Sequence, residues 1–393
     1  MKNNTDIILY NMWTKDEQLP STADAMLAKL TKLKNSGFTG LHLAPPSLSG
    51  NGSPYAISDF FALDPQNFDG GDSMTQEQLK DRLRLFIRLA HKIGLFVLVD
   101  AVLWHCHDHS PLVENHPDWF FYNEDGKIVY QFVPTDPDHP YGDIVRFRYD
   151  ANCPDSLWQF LADVLDFYYN DLGFDGCRLD MAAWCPAAML KKVVAHSEGK
   201  LLIAESFGCG NAEFLKLRDC GIRYVYNSAF WAGFDTQSKW IIDQLNFFNS
   251  IGLKSVTILA NHDTCRLLHR CGSAARVKQF IQLLSLMSGG VSVTSGDLTG
   301  ALEKIDVCRV RNEPARYDLT QDLADALEVR RAHPALRSEA MYYDDHGDFF
   351  IVFKHCDTET VRILVNRLAY RNEAEVDGTK VDLAPFEVRL LAA

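Results

Sequence analysis

The feature that most constrains this 393-residue chain is a regular alternation of short apolar runs with longer amphipathic ones. Eight runs read as buried strands: IILYN (Ile7 to Asn11), GLHLA (Gly40 to Ala44), LFVLVD (Leu95 to Asp100), FDGCRLD (Phe174 to Asp180), LLIAE (Leu201 to Glu205), YVYNS (Tyr224 to Ser228), VTILAN (Val256 to Asn261) and VSVTS (Val291 to Ser295). Helical patterns lie between them at Ser21 to Lys34, Thr75 to Ile93, Pro154 to Leu172, Phe214 to Cys220, Gln237 to Ile251 and Ala274 to Ser288. Thr75 opens the second with a capping threonine, and Gly94 closes it. Strands that alternate with helices form parallel sheets, and eight such units close into a (β/α)8 barrel, the TIM-barrel architecture. A doubly wound sheet would have fewer strands and a glycine-rich turn after the first, and NMWTKD is no such turn.

Two stretches break the alternation. From about Cys106 to Ala151 the chain is irregular and rich in Pro, Asp, Asn and aromatic residues. It is too long for a plain connection, so a loop insertion is expected after the third strand. Beyond a helix at Leu319 to Ala332, the runs DFFIVFKH, TVRILVNR, NEAEVDG and FEVRLLA read as strands with turns between them. The expected division is therefore a barrel over 1–337, including the insertion at 106–151, and a small C-terminal β-sheet domain over 338–393.

Composition narrows the function. A net charge of −13 disfavours a nucleic-acid partner, because phosphate binding needs a basic surface. No run reaches the ~20 apolar residues of a membrane span, and MKNNTDIILYNMWTKDEQ lacks the apolar core of a signal peptide, so no membrane is expected. The 10 cysteines are scattered without any CxxC spacing and read as reduced thiols of a cytoplasmic protein. HCHDH, around Cys106 to His109, lacks a second set of metal ligands. Oligomeric state is not legible.

Barrel chemistry sits at the C-terminal ends of the strands. There the third strand offers Asp100, with His105 following. The fourth offers Arg178 and Asp180, the fifth Glu205, and the seventh Asn261, His262 and Asp263. Arg178 and Asp180 are two residues apart, hence on one face, and alone would pass for a structural ion pair. Four carboxylates converging on one mouth are harder to explain structurally, because buried unpaired carboxylates are costly. Two carboxylates flanking a bond are the apparatus of glycoside hydrolysis: one attacks the anomeric carbon, the other protonates the leaving oxygen. A third could stabilise the cationic transition state, and an arginine beside the nucleophile would keep it ionised.

Four fragments in order, DAVLWH (Asp100 to His105), GFDGCRLD (Gly173 to Asp180), IAESFG (Ile203 to Gly208) and LANHD (Leu259 to Asp263), resemble the four short regions of the α-amylase superfamily, glycoside hydrolase family 13. GSPYAISDFFALDPQNFDG, HPDWFFYNEDGK and YDANCPDSLWQFL resemble further family segments. The resemblance implies Asp180 as nucleophile, Glu205 as general acid/base and Asp263 as transition-state stabiliser. It implies Arg178 as the arginine that holds the nucleophile, His105 and His262 as ligands of sugar hydroxyls, Asp100 as a supporting carboxylate and Tyr55 as the ring stacked on the sugar. The implied activity is retaining hydrolysis of α-1,4-linked glucans or maltooligosaccharides, with an oligosaccharide as the partner. Two other readings stay open: a transglycosylase or sugar-phosphate-dependent glycosyltransferase using the same site, and a catalytically silent carbohydrate-binding scaffold.

The chain departs from the family in two places. Trp104 stands where many members carry a calcium-binding asparagine. Asp150 and Asn152 could still offer oxygens, but no cofactor and no structural calcium are expected. Ala56 stands where the family often has Asp after the stacking tyrosine. Trp119, Phe120, Phe121 and Tyr122 are expected to pack the insertion rather than bind sugar. His107, Asp108 and His109 are placed at the cleft rim or on a surface loop.

Overall fold

The computed structural model describes residues 6–133, 141–150, 152–227, 238–287, 289–311, 313–338, 341–376 and 378–392. Ser228, Gln237 and Ser288 at the ends of expected elements, and 134–140 and Ala151 of the insertion, lie outside the described residues.

The eight expected strands are β1 (Ile8–Met12), β2 (Gly40–Leu43), β3 (Phe96–Ala101), β4 (Gly176–Leu179), β5 (Leu201–Glu205), β6 (Tyr224–Asn227), β7 (Lys254–Ile258) and β8 (Gly290–Thr294). They pair in sequence order and all parallel, and β8 returns to β1 with Val291 opposite Ile8, so the barrel is closed. Their short, almost wholly buried runs follow from having the barrel interior on one face and helices on the other.

The helices obey the same logic. Gln76–Lys92 starts with a capping box between Thr75 and Gln78 and buries Leu79, Leu83, Phe86, Ile87 and Ala90, a stripe with helical period. The helix Asp155–Asp166 continues as a π-helical stretch, Phe167–Leu172, and Gly173 ends it in the left-handed region. Besides the five-residue helices Pro111–Asn115 and Leu267–Cys271, the helix Ala187–His196 was not among those expected. It is only ten residues long and buries Met189, Leu190 and Val193, too few positions to set a helical period apart from a loop.

Inside the barrel Leu9, Leu98, Ile203, Val256 and Ile258 form an apolar plug. Two residues further along β1 and β3, and at the matching positions of β2 and β4, the interior turns polar, at Asn11, His42, Asp100 and Arg178, all buried. This switch from apolar to polar marks the end at which the site lies.

The insertion is tied to the barrel by an antiparallel pairing of His105–His107 with Ile144–Arg146. Trp119 and Phe120 are buried there, against Phe160 and Phe147 respectively. Phe121 lies under the guanidinium groups of Arg146 and Arg148, and Tyr122 is exposed. At the C-terminus, Met341–Asp345, Phe349–Cys356, Glu359–Asn366 and Val388–Ala392 form an antiparallel sheet in that spatial order, and Asn372–Val376 pairs with Thr379–Leu383. Met341–Asp345 and Thr379–Leu383 carry mostly exposed side chains, which is why their sequences show no apolar run.

Candidate active site

Arg178, on β4, organises the mouth of the barrel. Its Nη1 donates to Asp100 Oδ1 and to Asp180 Oδ1, each at 2.7 Å, and its Nη2 lies 3.1 Å from Glu205 Oε2. The parallel register produces this: Arg178 sits opposite Asp100 on β3 and Ile203 on β5, two residues before Glu205. Asp180 lies one residue past β4, where its N–H donates to Ala101 O at 3.1 Å.

The next residue, Met181, has φ 47°, a left-handed conformation that costs a non-glycine residue roughly 1–2 kcal/mol. That turn aims the Met181 N–H at Glu205 Oε2, at 2.5 Å. Strained backbone at a functional site is held by its surroundings. Here the Met181 sulfur also accepts from Gln131 Nε2, at 3.7 Å.

Asp100 lies beneath the site, 2% exposed. Its Oδ2 accepts from the Tyr55 hydroxyl at 2.9 Å and faces His42 Nε2 at 3.5 Å. Burial opposes its ionisation, but Arg178 and then His42 outweigh that and hold its pKa down to about 2. Tyr55, His262 and Trp13 form a cluster of nearly parallel rings, with Tyr55 and Trp13 each under 5 Å from the His262 ring. His105 Nε2 meets Tyr55 O at 3.1 Å. Burial pushes His105 down to about 4 and lowers His262 as well, so both present neutral imidazoles near neutrality. Asp263 stands apart from Arg178: Asn261 Nδ2 donates to its Oδ2 at 2.9 Å, and His262 Nε2 lies 3.2 Å from its Oδ1.

Burial raises the pKa of both Asp180 and Glu205; Arg178 opposes it for each, and their mutual repulsion adds to it for Asp180. Two acids sharing one guanidinium titrate as a pair, whose first proton binds above the ordinary carboxylate range. That is the arrangement acid/base chemistry requires: one proton and one charge over two oxygens of different exposure.

These groups face a cavity of about 720 Å³. Tyr55, His105, Arg178, Asp180, Glu205, His262 and Asp263 line it. Asp100 supports it from below, so the eight residues picked out by the sequence come together. Ala56 lines the wall beside Tyr55. Four aromatic residues also line it: Tyr141, Trp184, Phe207 and Trp240. Sequence reasoning passed over them, although each follows a different strand (β3, β4, β5 and β6) and so lies in the segments that open at the catalytic end. His42 was also missed, having no motif around it.

The histidines and aspartate at the start of the insertion pack among themselves or face solvent. His107 is buried; its Nδ1 accepts the His109 N–H at 3.1 Å, and Asp108 accepts from the Tyr130 hydroxyl at 3.0 Å. His109 is exposed to solvent. The family's calcium position does not fit a cation here. The Trp104 indole is buried against Tyr149, with the Arg146 guanidinium 5.2 Å over its ring, and Asp150 Oδ1 accepts from Arg148 and from the Asn152 N–H. Calcium needs six or more oxygens, and here an arginine and an indole stand in their place.

A closed eight-stranded parallel barrel with a carboxylate-lined mouth and a C-terminal antiparallel sheet defines the class, and comparison with known proteins narrows it. Residues 22–126 match the family model described as the glucanotransferase domain of glycogen debranching enzyme. A cyclomaltodextrinase of Geobacillus thermopakistaniensis is 22% identical over 90% of this chain and 64% of its own length. An α-1,4-glucan:maltose-1-phosphate maltosyltransferase of Cereibacter sphaeroides is 23% identical over 86% of this chain and 61% of its own. The chain thus spans about three fifths of the length of these curated relatives. Among solved structures, an Anoxybacillus α-amylase superposes with a TM-score of 0.79 at 17% identity, covering 99% of this chain and 98% of that one. The chain is thus similar in sequence to enzymes named for α-glucan substrates and in fold to α-amylases, in agreement with the resemblance to the α-amylase superfamily carried by its four motifs.

Proposed function

We propose that the chain is a retaining glycoside hydrolase acting on α-1,4-linked maltooligosaccharides. The observation that carries the reading is the single guanidinium of Arg178 shared by Asp100, Asp180 and Glu205 at the floor of an open cavity. In the proposal Asp180 Oδ attacks the anomeric carbon as the glycosidic C–O bond breaks, and Glu205 gives its proton to the leaving oxygen. Glu205, now a carboxylate, takes a proton from water, whose oxygen displaces Asp180 and restores both groups. Glu205 suits the acid because its Oε2 is fixed by Arg178 and Met181, which leaves Oε1 for the proton. Asp263 would face the positive charge that develops at the anomeric carbon. His105 and His262, as neutral imidazoles, would bond sugar hydroxyls. Tyr55, with Tyr141, Trp184, Phe207 and Trp240, would offer flat faces to pyranose rings.

A second reading has support of its own. The glucanotransferase family model and the maltosyltransferase relatives favour a transferase, in which a sugar hydroxyl or phosphate replaces water in the second half-reaction. The silent-scaffold reading loses ground to the intact carboxylate–arginine cluster. Incubation with maltoheptaose, alone, with phosphate and with an acceptor sugar, followed by chromatography, separates these. Shorter maltooligosaccharides alone support the hydrolase, and longer chains or a sugar phosphate support the transferase. No turnover under any of the three conditions contradicts both. We further infer a reducing, cytoplasmic setting, supported by ten cysteines that are all free thiols. Among the described residues, no helix is long and apolar enough to cross a membrane.

A further inference from the structure

One buried ring in the barrel interior has no part in the reaction described above. His42, on β2, is 4% exposed, in the layer just above the apolar plug of Leu9, Leu98 and Val256. Its ring leans against that of Tyr226, on β6 across the barrel, with centroids 5.5 Å apart. Nδ1 lies 3.1 Å from the Tyr226 hydroxyl, which also lies 3.3 Å from Ser292 Oγ on β8. Nε2 has no hydrogen-bond partner and faces Asp100 Oδ2 at 3.5 Å, beside a space of about 10 Å³. A buried ring nitrogen left without a hydrogen bond costs about 1–3 kcal/mol, so its place there calls for a reason.

The bond inventory supplies one. A tyrosine hydroxyl has one proton to give. If Tyr226 gives it to His42 Nδ1, the imidazole carries its own proton on Nε2 and points it at Asp100. Asp100 is then surrounded by donors only, with Arg178 on Oδ1, and Tyr55 and His42 on Oδ2. Only an ionised carboxylate suits that setting. The Arg178 Nη1 that it grips is the same nitrogen that bonds Asp180.

We propose that His42 is a positioning residue. Through Tyr226 on one side and Asp100 on the other, it fixes how Arg178 is divided between Asp180 and Glu205. This rests on the glycosidase or transferase reading of the site. His42→Leu keeps the bulk of the ring and removes both polar contacts, while His42→Gln keeps an acceptor for Tyr226 and a donor for Asp100.

Steady-state kinetics on maltoheptaose should show kcat of His42→Leu down roughly tenfold or more with KM nearly unchanged. His42→Gln should recover most of the loss, and Tm should not track activity across the pair. In a crystal structure of His42→Leu, Arg178 Nη1 should move away from Asp100. Wild-type kcat in His42→Leu, equal loss in both variants, or an unmoved Arg178 would overturn the proposal. A wild-type chain with no activity on any glucan or acceptor would instead overturn the reading of the site, and the crystal structure would still decide the role of His42.

Discussion

Arg178 carries one charge and meets three carboxylates, which leaves two negative charges unpaired and favours the uptake of a proton. Asp100, held low by Arg178 and His42, does not take it, and the Asp180–Glu205 pair does. Such a site works at a cost in stability. A carboxyl whose folded pKa is raised stabilises the fold below its unfolded value, about 4.3 for Glu, and loses that contribution as pH rises through the folded value. Glu205→Gln should therefore melt higher than wild type at pH 7–8, by roughly 1–3 °C, and at the same temperature as wild type near pH 4. Calorimetry across that range checks this, and a difference independent of pH contradicts it. The same variant should lose most turnover, on the order of 10²–10⁴-fold. Asp180→Asn should lose at least as much, because the proposed reaction assigns the covalent bond to Asp180.

At the scale of elements, packing occupies the position at which the family that the sequence resembles often binds calcium. Trp104, Tyr149 and Arg146 join the strand pair His105–His107 and Ile144–Arg146 to the barrel through rings and a guanidinium. Chelator should therefore leave both Tm and activity unchanged. A clear drop in either with EDTA, restored by calcium, would show that other oxygens assemble a site. The barrel strands could be read from sequence because being buried on both faces leaves an unbroken apolar run in each. The residues that meet at the cavity could be picked out because they lie at one end of those runs, where motifs mark them. The left-handed turn at Met181 could not be read, because methionine gives no signal for positive φ. His42 could not be read either, because its meaning depends on β3 beside it and β6 across the barrel, contacts 58 and 184 residues away in sequence being invisible to local pattern. The exposed strands Met341–Asp345 and Thr379–Leu383 were missed because strands with little to bury keep little hydrophobic pattern.

Across the whole molecule, the C-terminal sheet shares its core with the barrel: Met341, Phe350, Val352, Val361 and Ile363 join the cluster that contains the barrel helices' apolar faces. At this seam Lys354 is fully buried, its Nζ donating to Leu336 O at 2.7 Å. Burial, with Arg330 nearby, holds its ammonium well below the usual lysine range. The unfolded chain then binds more protons than the folded one, so this residue makes stability rise with pH up to about 10.4. Lys354→Met should gain most in Tm over wild type at pH 7, and that difference should shrink toward pH 10. A constant difference would mean that the lysine does not titrate across folding. The central claim concerns the other end of the barrel, that Asp180 is the nucleophile of a retaining reaction. Its most direct test is mass spectrometry of Glu205→Gln incubated with α-maltosyl fluoride, whose good leaving group bypasses the missing acid. A covalent maltosyl adduct on the peptide that contains Asp180, absent in Asp180→Asn, is the predicted result. A wild-type enzyme that turns the fluoride over while the adduct forms on another residue, or that yields product of inverted configuration, would contradict it.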